Sequence, residues 1–299
     1  MDTIRAFKIY LEAEKHYSPH TVQAYINDLI FFLSFIEVNY EQNTLETVNY
    51  SQIRSWIVSL AESSLSNSTI NRKVASLKAF YKFLYKTRQI IINPLAKHKV
   101  LKTPKKVQIP FSEKEIETVL ISMNNSNNTF ETIRNKLIID ILYTTGMRRA
   151  ELIGLKTKNI NFQNNTLKVL GKRNKERIIP VLSEIIPQIS LYLEKKSELE
   201  GIIDQEFLFV TLKGNKLYDS FVYRLINHYF SLFSEKVKKS PHIMRHSFAS
   251  HMLNSGADLN SVKELLGHSS LASTQIYTQS SLLEIKKVYK AAHPRENEY

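Results

Sequence analysis

Three prolines, Pro94, Pro104 and Pro110, stand in a short stretch that also carries Lys97, Lys99, Lys102, Lys105 and Lys106. Each proline removes a backbone donor and fixes φ, so neither a helix interior nor a central strand passes through residues 94–110. The stretch therefore reads as an extended basic linker, with a first domain over residues 1–93 and a second over 111–299. A length of 299 residues agrees with two domains, each large enough to bury a core.

Charge sharpens that division. Residues 1–62 hold 4 Lys/Arg against 8 Asp/Glu, residues 63–106 hold 11 against none, and residues 107–299 hold 26 against 20. Most of the net charge of +13 thus sits in one segment without a carboxylate, which points to a polyanion as partner. The chain has no cysteine, which excludes disulfides, thiol catalysis and cysteine-ligated metal. The longest apolar run, Leu29 to Ile36, is short of a bilayer span, and the N-terminal MDTIRAFKIYLEAEK lacks a signal-peptide pattern. These features read as a cytoplasmic protein with no membrane partner.

The first domain shows helical periodicity throughout. Ile4, Phe7, Tyr10 and Leu11 form one stripe; Val22, Tyr25, Ile26, Leu29, Phe32, Leu33 and Ile36 form another after the start signal Ser18-Pro19. A third helix is expected over Ser51 to Ala61, around the single tryptophan, Trp56. Ser66-Asn67-Ser68 then opens a long helix to about Tyr85, with Ile70, Val74, Leu77, Phe80, Tyr81 and Leu84 toward a core. Arg72, Lys73, Lys78 and Lys82 fall mostly on its other surface and are the candidate contacts to a nucleic-acid backbone or groove.

The second domain opens at a capping box, Ser112 and Glu115, and continues in a buried-looking helix from Ile133 to Tyr143 that stops at Gly146. Arg148 follows at the junction of two helices, a place from which a guanidinium can be aimed into a cleft, with Glu151 one turn on. The period then changes to two. Asn159 to Phe162, Thr166 to Leu170 and Glu176 to Val181 read as three short antiparallel strands, the last two joined by the cationic turn 171–175 that carries Lys172. Helices are expected over Ile185 to Leu199 and Ser220 to Phe233, with a short strand at Phe207 to Val210 and a polar loop at Asn124 to Asn128. The predicted class is mainly α, formally α+β: an N-terminal helical domain and a mostly helical C-terminal domain with a small three-stranded antiparallel sheet.

Chemistry concentrates between Pro241 and Tyr277. His242 and Arg245 share a helix face at i and i+3, glycines stand at 256 and 267 where helices end, and His268 precedes Tyr277 by nine residues. Guanidinium and imidazole groups can hold the non-bridging oxygens of a phosphodiester while a phenol oxygen attacks phosphorus.

In that order these motifs resemble the tyrosine recombinases, the phage integrase family, and within them the Xer-type site-specific recombinases of bacteria. The resemblance is carried by TGMRRAEL at 145–152 (with Gly146, Arg148 and Glu151), GKRNKERIIP at 171–180, PHIMRHSFASHML at 241–253, LLGHSSLASTQIYT at 265–278 and HPR at 293–295. It extends to SPHTVQAYINDL at 18–29 and STINRKVASLKAFYKFL at 68–84. The chain departs from the family pattern at Arg149-Ala150 and at Arg173.

The resemblance implies a core-binding first domain and a catalytic second domain that cleaves and rejoins double-stranded DNA through a 3′-phosphotyrosine. It implies Tyr277 as nucleophile, Arg148 and Arg245 as the phosphate clamp, Lys172 as general acid, and His242 and His268 as phosphate ligands or aids to proton transfer. Glu151 would support them. No cofactor and no metal are implied, because the phosphotyrosine keeps the energy of the broken ester. A tail helix over Leu282 to Ala292 implies a homo- or hetero-tetramer on two DNA sites, with a second recombinase and a DNA translocase as further partners. The implied task is chromosome or plasmid dimer resolution linked to cell division. Integration or inversion by a mobile element, relaxation by a type IB topoisomerase, and DNA binding without catalysis are the other readings.

Overall fold

A computed structural model describes residues 2–104, 108–124, 128–171, 175–267 and 279–296. The chain separates into two compact units, residues 1–106 and 107–299.

In the first unit, helix α1 (Asp2–Ile9) continues into a single π-helical turn, Tyr10–Glu14. Helix α2 (Pro19–Tyr40) begins where Ser18 accepts the Thr21 N–H and Pro19 occupies the first helical position. Helix α3 (Tyr50–Glu62) starts at a capping box between Asn49 and Gln52, and α4 (Asn67–Lys86) starts where Ser66 accepts the Thr69 N–H. Their apolar faces meet in one core that includes Phe7, Leu29, Phe32, Trp56, Leu77 and Phe80. Trp56 is fully buried with its ring centroid 4.8 Å from that of Phe32, so truncation to alanine there is expected to cost about 3–5 kcal/mol.

Helix α2 is long and apolar enough to cross a membrane by length and composition alone. One face of it packs in this unit: Val22, Ile26, Leu29, Phe32 and Ile36 are buried, and so is a charged residue, Asp28, while Ile30, Phe31 and Val38 on the other face are exposed. The stretch read as a linker divides in two. Leu95 is in the first unit's core, while Leu101 and Lys102 offer backbone groups to Asn71 and Asn67 of α4. Sequence-distant side-chain amides thus do for this irregular backbone what a sheet or helix would otherwise do.

The second unit is built on α6 (Phe130–Thr145), whose residues Leu137 to Thr145 are all buried. Around it lie α5 (Glu113–Asn124), α8 (Ile185–Ser197), α9 (Asp219–Ser231) and α10 (Pro241–Asn254). The box at Ser112 and Glu115 forms, with the Glu115 carboxylate accepting the Ser112 N–H at 2.7 Å. Short α7 (Arg149–Ile153) leads to a 3-10 turn, Thr157–Asn159, and into the sheet.

The sheet is antiparallel in the order β1 (Ile160–Asn161), β2 (Thr166–Leu170), β3 (Glu176–Pro180). Strand β1 is shorter than its alternation predicts because the 3-10 turn takes up Asn159. Residues Phe207 to Val210 make isolated bridges to Lys156 and Lys216 in place of a strand. Part of the polar stretch Asn124 to Asn128 lies outside the described residues.

Helix α11 (Leu259–Leu266) starts at Asp258, whose carboxylate accepts the Asn260 and Ser261 N–H groups, and ends at Gly267. Helix α12 (Gln279–Ala292) is the tail. Ile285, Tyr289 and Ala292 are buried in this unit's own core, Tyr289 donates to the Thr144 carbonyl at 2.8 Å, and Arg295 pairs with buried Asp140 of α6 and with Glu184.

Candidate active site

Two glycines in left-handed conformation shape the site. Gly146 (φ +58°) ends α6, and a Cβ there would come within 2.3 Å of the Phe248 ring. Gly267 (φ +64°) ends α11, and a Cβ there would lie 3.0–3.1 Å from three atoms of Arg177. Each glycine allows a helix end to approach a packed side chain, and each is followed within two residues by a residue the sequence singles out: Arg148 and His268.

The end of α11 gathers three guanidinium groups. Arg177 donates through Nε to the Leu265 carbonyl at 3.2 Å, Arg245 through Nη2 to the Leu266 carbonyl at 2.6 Å, and Arg148 through Nη2 to the Gly267 carbonyl at 3.1 Å. The last carbonyls of a helix have no partner within it and carry its negative end, so they suit cations. Arg245 also donates to the Gly146 carbonyl at 2.7 Å, tying α10 to the turn that ends α6.

One carboxylate stands among these cations. Glu151 accepts Arg177 Nη1 at 2.5 Å and Nη2 at 2.8 Å, Arg148 Nη1 at 2.9 Å, and the Arg148 backbone N–H at 2.7 Å. Burial works against its ionisation, but the hydrogen bonds and charge of Arg177 and the bonds from Arg148 hold the carboxyl below the usual range. For Arg245 the balance is reversed. Burial, and then the neighbouring Arg148 and Arg177 charges, push its guanidinium down to about 10, with Glu151 opposing. The described cluster therefore holds three guanidinium groups against one carboxylate, largely out of water, and this surplus favours an anion.

His242 is exposed on the otherwise buried first turn of α10. Desolvation, followed by the charges of Lys238, Arg245 and His246, holds its imidazole below the ordinary histidine value, so at neutral pH it is an unprotonated acceptor. Of the sequence-predicted site, Arg148 and Arg245 come together and Glu151 joins them. Lys172, His268 and Tyr277 lie outside the described residues, but the residues that precede two of them are at the cluster. Gly267 accepts from Arg148, and a Cβ on Gly171 would be 3.5 Å from Glu151 Oε1.

Sequence reasoning missed Arg177. Alternation puts it on the same face of β3 as Ile179, opposite buried Val169 of β2, but a charged residue at that register reads as solvated until Glu151 is seen beside it.

The candidate DNA contacts of the first unit divide. Arg72 and Lys73 both bond Asp28, at 2.8 and 3.1 Å, and Ser76 donates to the same carboxylate at 2.8 Å. Arg72 remains 52% exposed, whereas Lys73 is 17% exposed and sits over the Phe31 ring. Lys78 and Lys82 are exposed on α4, with Lys78 near the His98 carbonyl at 3.4 Å.

Comparison with known proteins converges on one group. Residues 111–283 match the phage integrase family and residues 4–88 its N-terminal SAM-like domain. The chain is 35% identical to the tyrosine recombinase XerC of Chlorobaculum parvum, with 97% of this chain and 94% of that one covered, and 36% identical to XerC of Staphylococcus epidermidis, with 99% and 98% covered. Among solved structures, XerH recombinase bound to palindromic difH substrate in a post-cleavage complex has a TM-score of 0.70 at 22% identity, covering 93% of this chain and 78% of that one. The Tn1549 transposon integrase (residues 82–397) in complex with circular intermediate DNA has a TM-score of 0.70 at 22% identity, covering 94% and 98%. These two similarities show the fold. The family matches and the relatives above a third identical show that the chain belongs to the phage integrase family of tyrosine recombinases and is a site-specific recombinase of the Xer type, an enzyme that binds, cleaves and rejoins DNA.

Proposed function

We propose that the cluster of Arg148, Arg245, Glu151 and Arg177 is the phosphate-binding half of the recombination site, completed by Lys172, His242, His268 and Tyr277. The observation that carries this is the surplus of buried guanidinium over carboxylate at the end of α11. A scissile phosphodiester brings the missing negative charge. In the pentavalent transition state, charge grows on the non-bridging oxygens, and Arg148 and Arg245 stabilise it there.

The Tyr277 oxygen attacks phosphorus and forms the P–O bond of a 3′-phosphotyrosine as the bond to the 5′ oxygen breaks. Lys172 donates a proton to that departing oxygen, giving a 5′-hydroxyl. His242, unprotonated near neutral pH, takes the phenolic proton or accepts a hydrogen bond from it, while His268 bonds the phosphate. Attack by the 5′-hydroxyl of a partner strand runs the same steps backwards, releasing Tyr277 without an external energy source. The exposed cations Arg72, Lys78 and Lys82 and, less directly, Lys73 supply backbone affinity.

The active assembly in this reading is a homo- or hetero-tetramer on two DNA sites in the cytoplasm, acting in chromosome or plasmid dimer resolution with a second recombinase and a translocase. The relatives named XerC support that role over the integration or inversion suggested by the transposon integrase, at lower identity. A nicked suicide substrate tests the chemistry: the wild-type chain is expected to form a covalent adduct, and Tyr277→Phe to lose it while keeping its gel shift. An adduct persisting in Tyr277→Phe sinks the assignment. Excision products from a plasmid with two sites, against inversion or integration products, separate the two biological roles.

A further inference from the structure

An arginine at the root of a two-stranded turn is ordinarily solvated. Arg177 is 6% exposed. Enclosing a guanidinium costs several kcal/mol unless its N–H groups find partners, and here all three of its nitrogens are engaged. Nη1 and Nη2 grip both oxygens of Glu151, and Nε donates to the Leu265 carbonyl. One side chain thereby joins strand β3, the first turn of α7 and the last turn of α11. The two nearest glycines show how close the backbone comes: a Cβ on Gly267 would meet Arg177 Cδ, Nε and Nη1 at 3.0–3.1 Å, and one on Gly171 would stand 3.6 Å from Nη1.

The division of labour around Glu151 matters for Arg148. Arg177 takes the carboxylate in the two-pronged mode, whereas Arg148 reaches Oε1 with Nη1 and sends Nη2 to the Gly267 carbonyl. Remove Arg177, and a buried carboxylate keeps one guanidinium neighbour within bonding distance. The electrostatic demand then falls on Arg148, which is 36% exposed at its side chain and free to turn inward. An Arg148 turned fully onto Glu151 presents less of itself to a substrate phosphate.

We propose that Arg177 is a positioning residue for DNA cleavage, acting through Glu151 to hold Arg148 in the orientation that meets a non-bridging phosphate oxygen. Arg177 itself is not assigned to the phosphate: it is buried, and its Nη groups grip both oxygens of Glu151 while Nε bonds the Leu265 carbonyl. This rests on the reading of Arg148 as a phosphate ligand, and the test separates the two.

The measurement is the single-turnover cleavage rate of the full chain on three suicide substrates that differ at the scissile position: the natural phosphodiester, a methylphosphonate that lacks one non-bridging oxygen and its charge, and a 5′-bridging phosphorothiolate whose sulfur leaves without a proton. Arg177→Met is expected to cleave the phosphodiester roughly 10²-fold more slowly, with the deficit falling below about tenfold on the methylphosphonate and persisting on the phosphorothiolate. Arg177→Lys, which cannot grip both oxygens, is expected to fall between. The double variant Glu151→Gln/Arg177→Met removes the charge that draws Arg148 inward, so it is expected to cleave faster than Arg177→Met alone. It also removes both halves of the buried pair, and so carries the test if the single variant fails to fold.

An equal deficit on phosphodiester and methylphosphonate, or losses that multiply in the double variant, would mean that Arg177 only braces the fold. Recovery on the phosphorothiolate would place its influence on the leaving group. Either result overturns the proposal. Arg148→Ala is run alongside: if it too shows no relief on the methylphosphonate, the reading of Arg148 has failed and the proposal falls with it, for a reason distinguishable from a failure at Arg177.

Discussion

The two units contain two versions of the same device, a buried carboxylate holding basic side chains, and they differ in where the surplus charge goes. At Asp28 the partners Arg72, Lys73 and Ser76 all come from one helix, α4, and Arg72 keeps half its surface in water. At Glu151 the partners come from the start of α7 and from β3, and a third guanidinium, Arg245 on α10, lies close enough to be pushed down by its neighbours. The first arrangement fastens two helices and leaves the outer cation, Arg72, half in water. The second confines unlike elements and like charges together, which is stable only because helix-end carbonyls share the load. Fastening and receiving an anion thus differ by enclosure more than by residue type.

The sharpest way to break this comparison is to delete each carboxylate. Glu151→Ala leaves enclosed cations uncompensated and is expected to destabilise the second unit by about 3–5 kcal/mol, whereas Asp28→Ala should cost less, about 1–3 kcal/mol, because Arg72 can turn to solvent. Calorimetric melts of the two variants check the order, and equal losses would erase the distinction. Next in size, if Arg245 is the phosphate ligand proposed above, Arg245→Ala is expected to slow cleavage by roughly 10²–10³-fold with little change in the gel shift. A matching loss of DNA binding would show Arg245 to be an affinity residue like those of α4.

A third test uses protons. His293 is fully buried against Tyr143, Phe248 and Tyr289, near His251 and Arg295, and burial followed by the Arg295 and His251 charges pushes its imidazole down to about 3. The unfolded chain takes up a proton near the ordinary histidine value and the folded one does not. Stability from this group is therefore complete above about pH 6.5 and is lost as pH falls from there toward 3, by a few kcal/mol in all. His293→Phe should flatten that part of the pH–stability curve, and an unchanged slope would refute the cause given. The smallest effect is at the surface: Arg72→Ala should lower the slope of log affinity against log salt by about one, leaving cleavage at saturating DNA unchanged.

What could be read in advance follows from how local each signal is. The starts at Ser18, Ser66 and Ser112 are set by neighbours within three residues, and each forms as its residues indicate. The apolar stripes of α2 and α4 likewise follow from spacing alone. Asp28 and Arg177 were passed over because a charged residue in an amphipathic pattern reads as solvated, and only a partner 44 or 26 residues away in sequence reverses that. The same holds for Leu101 and Lys102, whose backbone finds its bonds in α4 although their sequence reads as linker. Gly146 and Gly267 were visible as helix ends, but the convergence of Arg148, Arg177 and Arg245 on three successive carbonyls is a tertiary property that no spacing rule contains.

The tail deserves to be seen as a keystone. Tyr289 caps the Thr144 carbonyl and Arg295 neutralises Asp140, both on the final two turns of α6, the rod whose tip is Gly146. Pulling the tail away by truncation would strip support from the very turn on which Arg148 and Arg245 hang. A shortened chain would then loosen at that turn although every residue of the guanidinium cluster is still present.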